Sequence, residues 1–134
     1  MNRAEFQRLA EVRVREAEAL LAAGLWDGAY YLAGYAVECG LKACIAKLTR
    51  AEDFPPDRRF VEACYSHNLA GLLKTAGLQD QFDADAAADP NLLANWVVVS
   101  KWSEQSRYMT SPEPEARTLV GAVRGVLAWL TRIW

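Results

Sequence analysis

Apolar residues recur along this chain at spacings of three and four, and period-2 alternation is nearly absent. That periodicity belongs to helices rather than strands. The spacing predicts a first helix from about Arg3 to Ala23, with Phe6, Ala10, Val14, Ala17 and Leu21 on one face and Glu11, Arg15 and Glu18 on another. Asn2 and Glu5 stand at capping-box spacing, and Gly24 sits where a helix stop belongs. From about Asp27 to Thr49 the pattern changes. This second helix is apolar or aromatic nearly all round, and only Glu38 and Lys42 interrupt its middle. A helix that is apolar on every side is a central, buried one. A carboxylate there costs several kcal/mol unless it is paired. Glu38 therefore either has a specific partner or lines a site.

Beyond Thr49 comes a polar loop whose Pro55-Pro56 pair stops any helix. Arg59 to Tyr65 reads as a turn. Ser66 is a cap for a third helix that holds Leu69, Leu72, Leu73 and Ala76 and ends at Gly77. Gln79 to Ala88, rich in alanine and aspartate, is either a weak helix or an ordered loop. Asp89-Pro90 opens a fourth helix that carries Leu92, Leu93, Trp96, Val97, Val99 and Trp102 and fades near Arg107. Ser111-Pro112-Glu113-Pro114-Glu115 opens a fifth, with a cap, an early proline and acids against the helix dipole. Its apolar positions run from Leu119 to Trp134 at helical spacing. The expectation is an all-α, up-and-down bundle of four to five helices, with residues 1–134 forming a single domain.

Composition narrows the function. A net charge of −2 supplies no global basic field for nucleic acid, although a local basic cleft remains open. The three cysteines have no metal-ligand or disulfide-framework spacing, and one histidine cannot complete a zinc set. They read as core fillers in a reducing compartment. No targeting segment or membrane-length apolar run is present, so a cytoplasmic location without membrane contact is expected. Phosphate-loop, dinucleotide, nucleophile-elbow and zinc-protease motifs are all missing, and neither a metal nor a cofactor is expected.

Several residues stand out against this background. Tyr31, Tyr35, Glu38 and Lys42 fall at i, i+4, i+7 and i+11, which makes a stripe down one side of the second helix. The stripe is either a half-solvated strip or a tyrosine-walled cleft with an acid and a base at its floor. Tyr31 and Tyr35, beside Lys42, are placed to stack a base. His67, the lone histidine, either makes local hydrogen bonds at a helix start or serves as an acid/base or phosphate contact. Arg107, followed by Tyr108, either complements a helix dipole or holds a phosphate with its planar fork. Gly121 and Gly125 share a helix face, which points to close packing against a neighbour in this chain or in a second subunit.

Tyr30-Tyr31-Leu32-Ala33-Gly34-Tyr35-Ala36-Val37-Glu38-Cys39-Gly40-Leu41-Lys42-Ala43 resembles the second-helix signature of HEPN domains. Ser66-His67-Asn68-Leu69-Ala70-Gly71-Leu72-Leu73 is similar to that family's H-x-L-x-x-L element, and Ser106-Arg107-Tyr108 to its RY element. The resemblance runs from about Ala17 to Ile133. It implies a helical bundle, commonly a homodimer, often paired with a minimal nucleotidyltransferase in toxin–antitoxin or defence systems. Many members are metal-independent ribonucleases with an arginine followed, after four to six intervening residues, by a histidine. Counted from Arg107, that histidine falls at Pro112, Glu113 or Pro114, and Arg59 precedes His67 with seven residues between them. No catalytic residue is carried over. The resemblance implies first a non-catalytic module that binds a nucleotide, an RNA phosphate or a nucleotidyltransferase partner. Its candidate binding residues are Tyr31, Tyr35, Glu38, Lys42, His67, Arg107 and Tyr108. An atypical ribonuclease using His67 and Arg107 is the second reading. A structural or regulatory partner protein is the third.

Overall fold

A computed structural model describing residues 1–134 is entirely helical. The elements are α1 (Arg3–Ala22), α2 (Trp26–Ala46), α3 (Arg58–Cys64), α4 (Leu69–Thr75), α5 (Gln79–Ala88), α6 (Pro90–Val99), a 3-10 helix (Glu104–Tyr108) and α7 (Glu113–Leu130). The seven α-helices exceed the expected four to five because two weakly patterned stretches, Arg58–Cys64 and Gln79–Ala88, are helical.

Helix α1 begins on the capping box. The Asn2 side chain accepts from the Glu5 amide at 3.0 Å, and the Glu5 carboxylate accepts from the Asn2 amide at 2.7 Å. It ends at Gly24, whose φ of +75° lets the Leu25 amide reach back to the Leu20 carbonyl at 2.9 Å. Gly77 repeats the device after α4, with φ +70° and the Leu78 amide donating to Leu73. The three residues between α1 and α2 turn the chain back on itself, and α1 and α2 pack along each other. On its other sides α2 meets α7, α4 and the 3-10 helix. It is the centre of the molecule: Ala29, Ala33, Ala36, Val37, Leu41 and Ala43 are sealed from solvent. Helix α6 then packs on α7, and the aromatic rings of Phe82, Trp96 and Trp129 join α5, α6 and α7. No helix is long and apolar enough to cross a membrane.

Several boundaries differ from the sequence reading, each for a local reason. Arg58–Cys64 is a helix rather than a turn. Asp57 caps it, accepting from the amides of Arg59 and Phe60. It buries no residue, so it carries no strong pattern. Asn68, not Ser66, caps α4, accepting from the Gly71 amide at 2.7 Å. Gln79–Ala88 is a helix, fixed by Phe82 and Ala86 in the core. The fourth predicted helix stops at Val99, and Arg107 lies in a separate 3-10 turn. That break lets Trp102 fold back onto α2. The cap assigned to Ser111 is absent from its side chain. Its backbone amide donates instead to Asp27 at 2.6 Å, fastening the start of α7 to the start of α2.

The glycines of α7 separate. A Cβ on Gly125 would stand 2.1 Å from the Asn95 amide nitrogen, so the expected close packing is within the chain. Gly121 faces open space and makes no close approach. On α2, a Cβ on Gly34 would lie 2.2 Å from the Trp102 indole.

These contacts separate two substitutions of the same kind. Gly34→Ala is expected to lower the unfolding free energy by about 1–3 kcal/mol through overpacking against the buried indole. Gly121→Ala, exposed in mid-helix, is expected to raise it by about 0.5–1 kcal/mol. Urea denaturation of both variants checks the pair. Equal effects would contradict the seat assigned to Trp102.

Candidate functional site

Glu38 is 2% exposed, yet its carboxylate is fully partnered. One turn along α2, the Lys42 ammonium donates to Oε1 at 2.9 Å. From the short segment between α3 and α4, His67 Nδ1 lies 3.0 Å from both Oε1 and Oε2. The charge that a greasy helix cannot tolerate alone is therefore satisfied by two donors from different elements. The segment holding His67 is itself tied by local hydrogen bonds. Ser66 Oγ accepts from the Asn68 amide at 3.0 Å, and Asn68 then caps α4.

This geometry gives the imidazole a defined orientation. Donation to a carboxylate requires the proton on Nδ1, which leaves Nε2 as the second nitrogen. Nε2 has no protein partner, and the His67 side chain is 51% exposed. Beside it lies a cavity of about 290 Å³ lined by Ser66, His67, Asn68, Trp102, Ser103 and Glu104. Its lining is rich in hydroxyl and amide groups. Glu104 supplies a carboxylate. A hydrogen bond from its own backbone amide, aided by the side chains of Gln105 and Ser103 and the field of His67, holds its carboxyl below the usual range. The Trp102 indole N–H is buried and has no hydrogen-bond partner, and the same is true of the Ser106 hydroxyl.

The structure brings together Glu38, Lys42 and His67 but not the remaining candidates. Tyr31 lies between Tyr35, at 6.2 Å and parallel within 1°, and Trp102, at 6.1 Å and 25°. Both tyrosines are half-buried, and they pack on one another, with Tyr31 also against the indole. Arg107 bonds to no member of the cluster. Its guanidinium lies over the ring of its neighbour Tyr108, 4.9 Å from the centroid. Both residues are exposed and neither lines the His67 cavity. Sequence reasoning missed Ser66, Asn68, Trp102, Ser103 and Glu104 as lining residues. Ser66 read only as a helix cap, and Trp102, at core-like spacing, carried no signal of its seat on Gly34. No group of three His, Cys, Asp or Glu side chains is placed to hold a metal ion. Burial pushes the Cys39 and Cys44 thiols up to about 11, so neither is a nucleophile near neutral pH.

A scan against protein-family models matches the HEPN domain over residues 4–134. Searches of curated proteins and of solved structures each returned no match.

The Glu38 cluster has a measurable weight. Glu38→Gln is expected to cost about 3 kcal/mol, the lower end for breaking a buried ion pair, because Lys42 and His67 can both reach water. His67→Ala is expected to cost about 1 kcal/mol, since Lys42 still serves the carboxylate. Urea denaturation ranks the two. Imidazole ¹⁵N shifts in the unaltered protein should report a protonated Nδ1, and a protonated Nε2 with a bare Nδ1 would refute the assigned hydrogen bond.

Proposed function

On the premise that this chain belongs to the HEPN domain family, we propose that it is a non-catalytic member that binds a nucleotide or RNA phosphate at His67. The observation that carries this reading is the imidazole held by a buried carboxylate, with its second nitrogen unpartnered beside a small cavity lined by the Ser66 and Ser103 hydroxyls, the Asn68 amide and, at one wall, the Glu104 carboxylate. An orientation imposed at the expense of a buried charge favours a site over mere packing. Lys42 adds a cation to the same carboxylate.

The same reading makes the protein a cytoplasmic homodimer, with a minimal nucleotidyltransferase as its further partner in a toxin–antitoxin or defence setting. The exposed edge of Arg107, Tyr108 and Met109 is available for such a contact. One observation favours a second reading. A carboxylate–imidazole pair is also how a general acid/base is oriented, which suits an atypical ribonuclease. Arg107, the cation such a reaction would use on the phosphate, does not line the His67 cavity. Binding is therefore preferred over cleavage.

Calorimetric titration with mononucleotides and short single-stranded RNA, with RNA integrity read on the same samples, tests the proposal. Saturable binding without cleavage is expected. His67→Ala and Lys42→Met should each weaken it about tenfold, the effect of losing one hydrogen bond to a charged group. Metal-independent cleavage that disappears in Arg107→Ala would overturn the non-catalytic reading. Neither binding nor cleavage would leave a protein partner as the role of this fold.

A further inference from the structure

On the other side of Lys42 lies a second depression, and its chemistry differs from that of the His67 cavity. It is a groove of about 470 Å³ between the start of α1, the end of α2 and α3. Phe6, Ile45, Phe60, Val61, Cys64 and Tyr65 form most of its walls. Lys42 is the one charged side chain among its lining residues, and no carboxylate is present. Tyr65 is 77% exposed, has no aromatic partner within the chain and stands two residues before His67. This sets it apart from Tyr31 and Tyr35, whose rings are engaged with each other, Tyr31 also with Trp102. The groove continues past Phe60 into a neighbouring hollow of about 380 Å³ that carries Arg50 and the 92% exposed Phe54.

Lys42 therefore stands where two surfaces meet. Its ammonium belongs to the Glu38–His67 cluster, and its side chain closes the apolar groove. A free aromatic ring over an apolar floor, beside a lysine whose ammonium is shared with the Glu38–His67 cluster, matches a base attached to a phosphate. Base–aromatic stacking is tolerant of sequence and strong enough to matter at a single position. We propose that this groove is a base-stacking subsite. Its ligand is a single-stranded oligonucleotide with one phosphate at His67 and the adjacent base against Tyr65 and Phe60. The inference rests on the phosphate-binding reading and extends it from a mononucleotide to a strand of at least two residues.

The test uses the full chain and two probes, inorganic phosphate and a ribodinucleotide carrying 2-aminopurine. The protein's lone histidine gives a single imidazole signal by which phosphate can be followed. Stacking is read from quenching of 2-aminopurine fluorescence. Tyr65→Ala is expected to weaken the dinucleotide about tenfold, the loss of one base–aromatic stack. It should leave the phosphate-induced shift of His67 unchanged, and Tyr65→Phe should retain wild-type binding. Tyr65 is exposed, so the variant should fold, and circular dichroism confirms that it has. If phosphate shifts His67 but Tyr65→Ala binds the dinucleotide as wild type does, the subsite is wrong and the phosphate reading stands. If neither probe binds, both fall. If Tyr65→Ala alters sedimentation while dinucleotide affinity is unchanged, the groove is a protein-facing surface and the proposal is overturned.

Discussion

A single buried carboxylate organises this fold. Glu38 lies in the middle of the one helix that is surrounded on every side, where an isolated charge is not tolerated. Its partners come from α2 itself, through Lys42, and from the chain between α3 and α4, through His67. Because His67 meets both carboxylate oxygens, the start of α4 cannot slide along α2 without stranding the charge. One turn earlier on the same face, Gly34 provides a flat seat for the Trp102 indole. The 34/38 pair thus anchors two distant segments, one by close packing and one by charge, and the cavity between His67 and Trp102 lies over that face.

Stability alone gives little reason for this arrangement. A buried ion pair is often no more stabilising than apolar side chains of the same volume, although removing one partner is costly. Val or Leu at position 38 would suit the surroundings of α2, whose neighbouring buried positions are Ala, Val, Cys and Leu. What an apolar residue could not supply is an imidazole with a specified tautomer and an unoccupied nitrogen at the surface. The return on burying Glu38 is therefore found at the solvent-facing end of the cluster, where the proposed site lies.

Much of the fold was legible in the sequence because its strongest signals are local. The capping box at Asn2, the left-handed stops at Gly24 and Gly77, and the Asp89-Pro90 start each act over a few residues, and each is present. The all-round apolar character of α2 likewise pointed directly to its central position. The weak elements were not legible. Helix α3 buries nothing, and α5 contributes only Phe82 and Ala86 to the core, so neither imposes a periodicity on its sequence. In the candidate site, the stripe Tyr31, Tyr35, Glu38 and Lys42 followed from helical spacing. His67 as the partner of Glu38 is a contact 29 residues long in sequence, and no spacing rule reaches that far.

The break between α6 and the 3-10 helix shows why Arg107 was the hardest residue to place. The apolar spacing from Leu92 to Trp102 continues smoothly, and a helix extended through it would carry Arg107 along the bundle axis. The backbone instead leaves the helix after Val99, because the Trp102 ring is drawn onto Gly34 and Tyr31. Ser103 then restarts the chain as a 3-10 turn, accepting from the Gln105 amide at 3.2 Å. Ser106 faces inward and is 7% exposed, while Arg107 and Tyr108 face out. The residue that builds the roof of the His67 cavity is thus the same one that turns the arginine away from it. An imidazole and a guanidinium that look like one constellation in the sequence become two separate surfaces, a polar cavity over α2 and a cationic aromatic edge beside it.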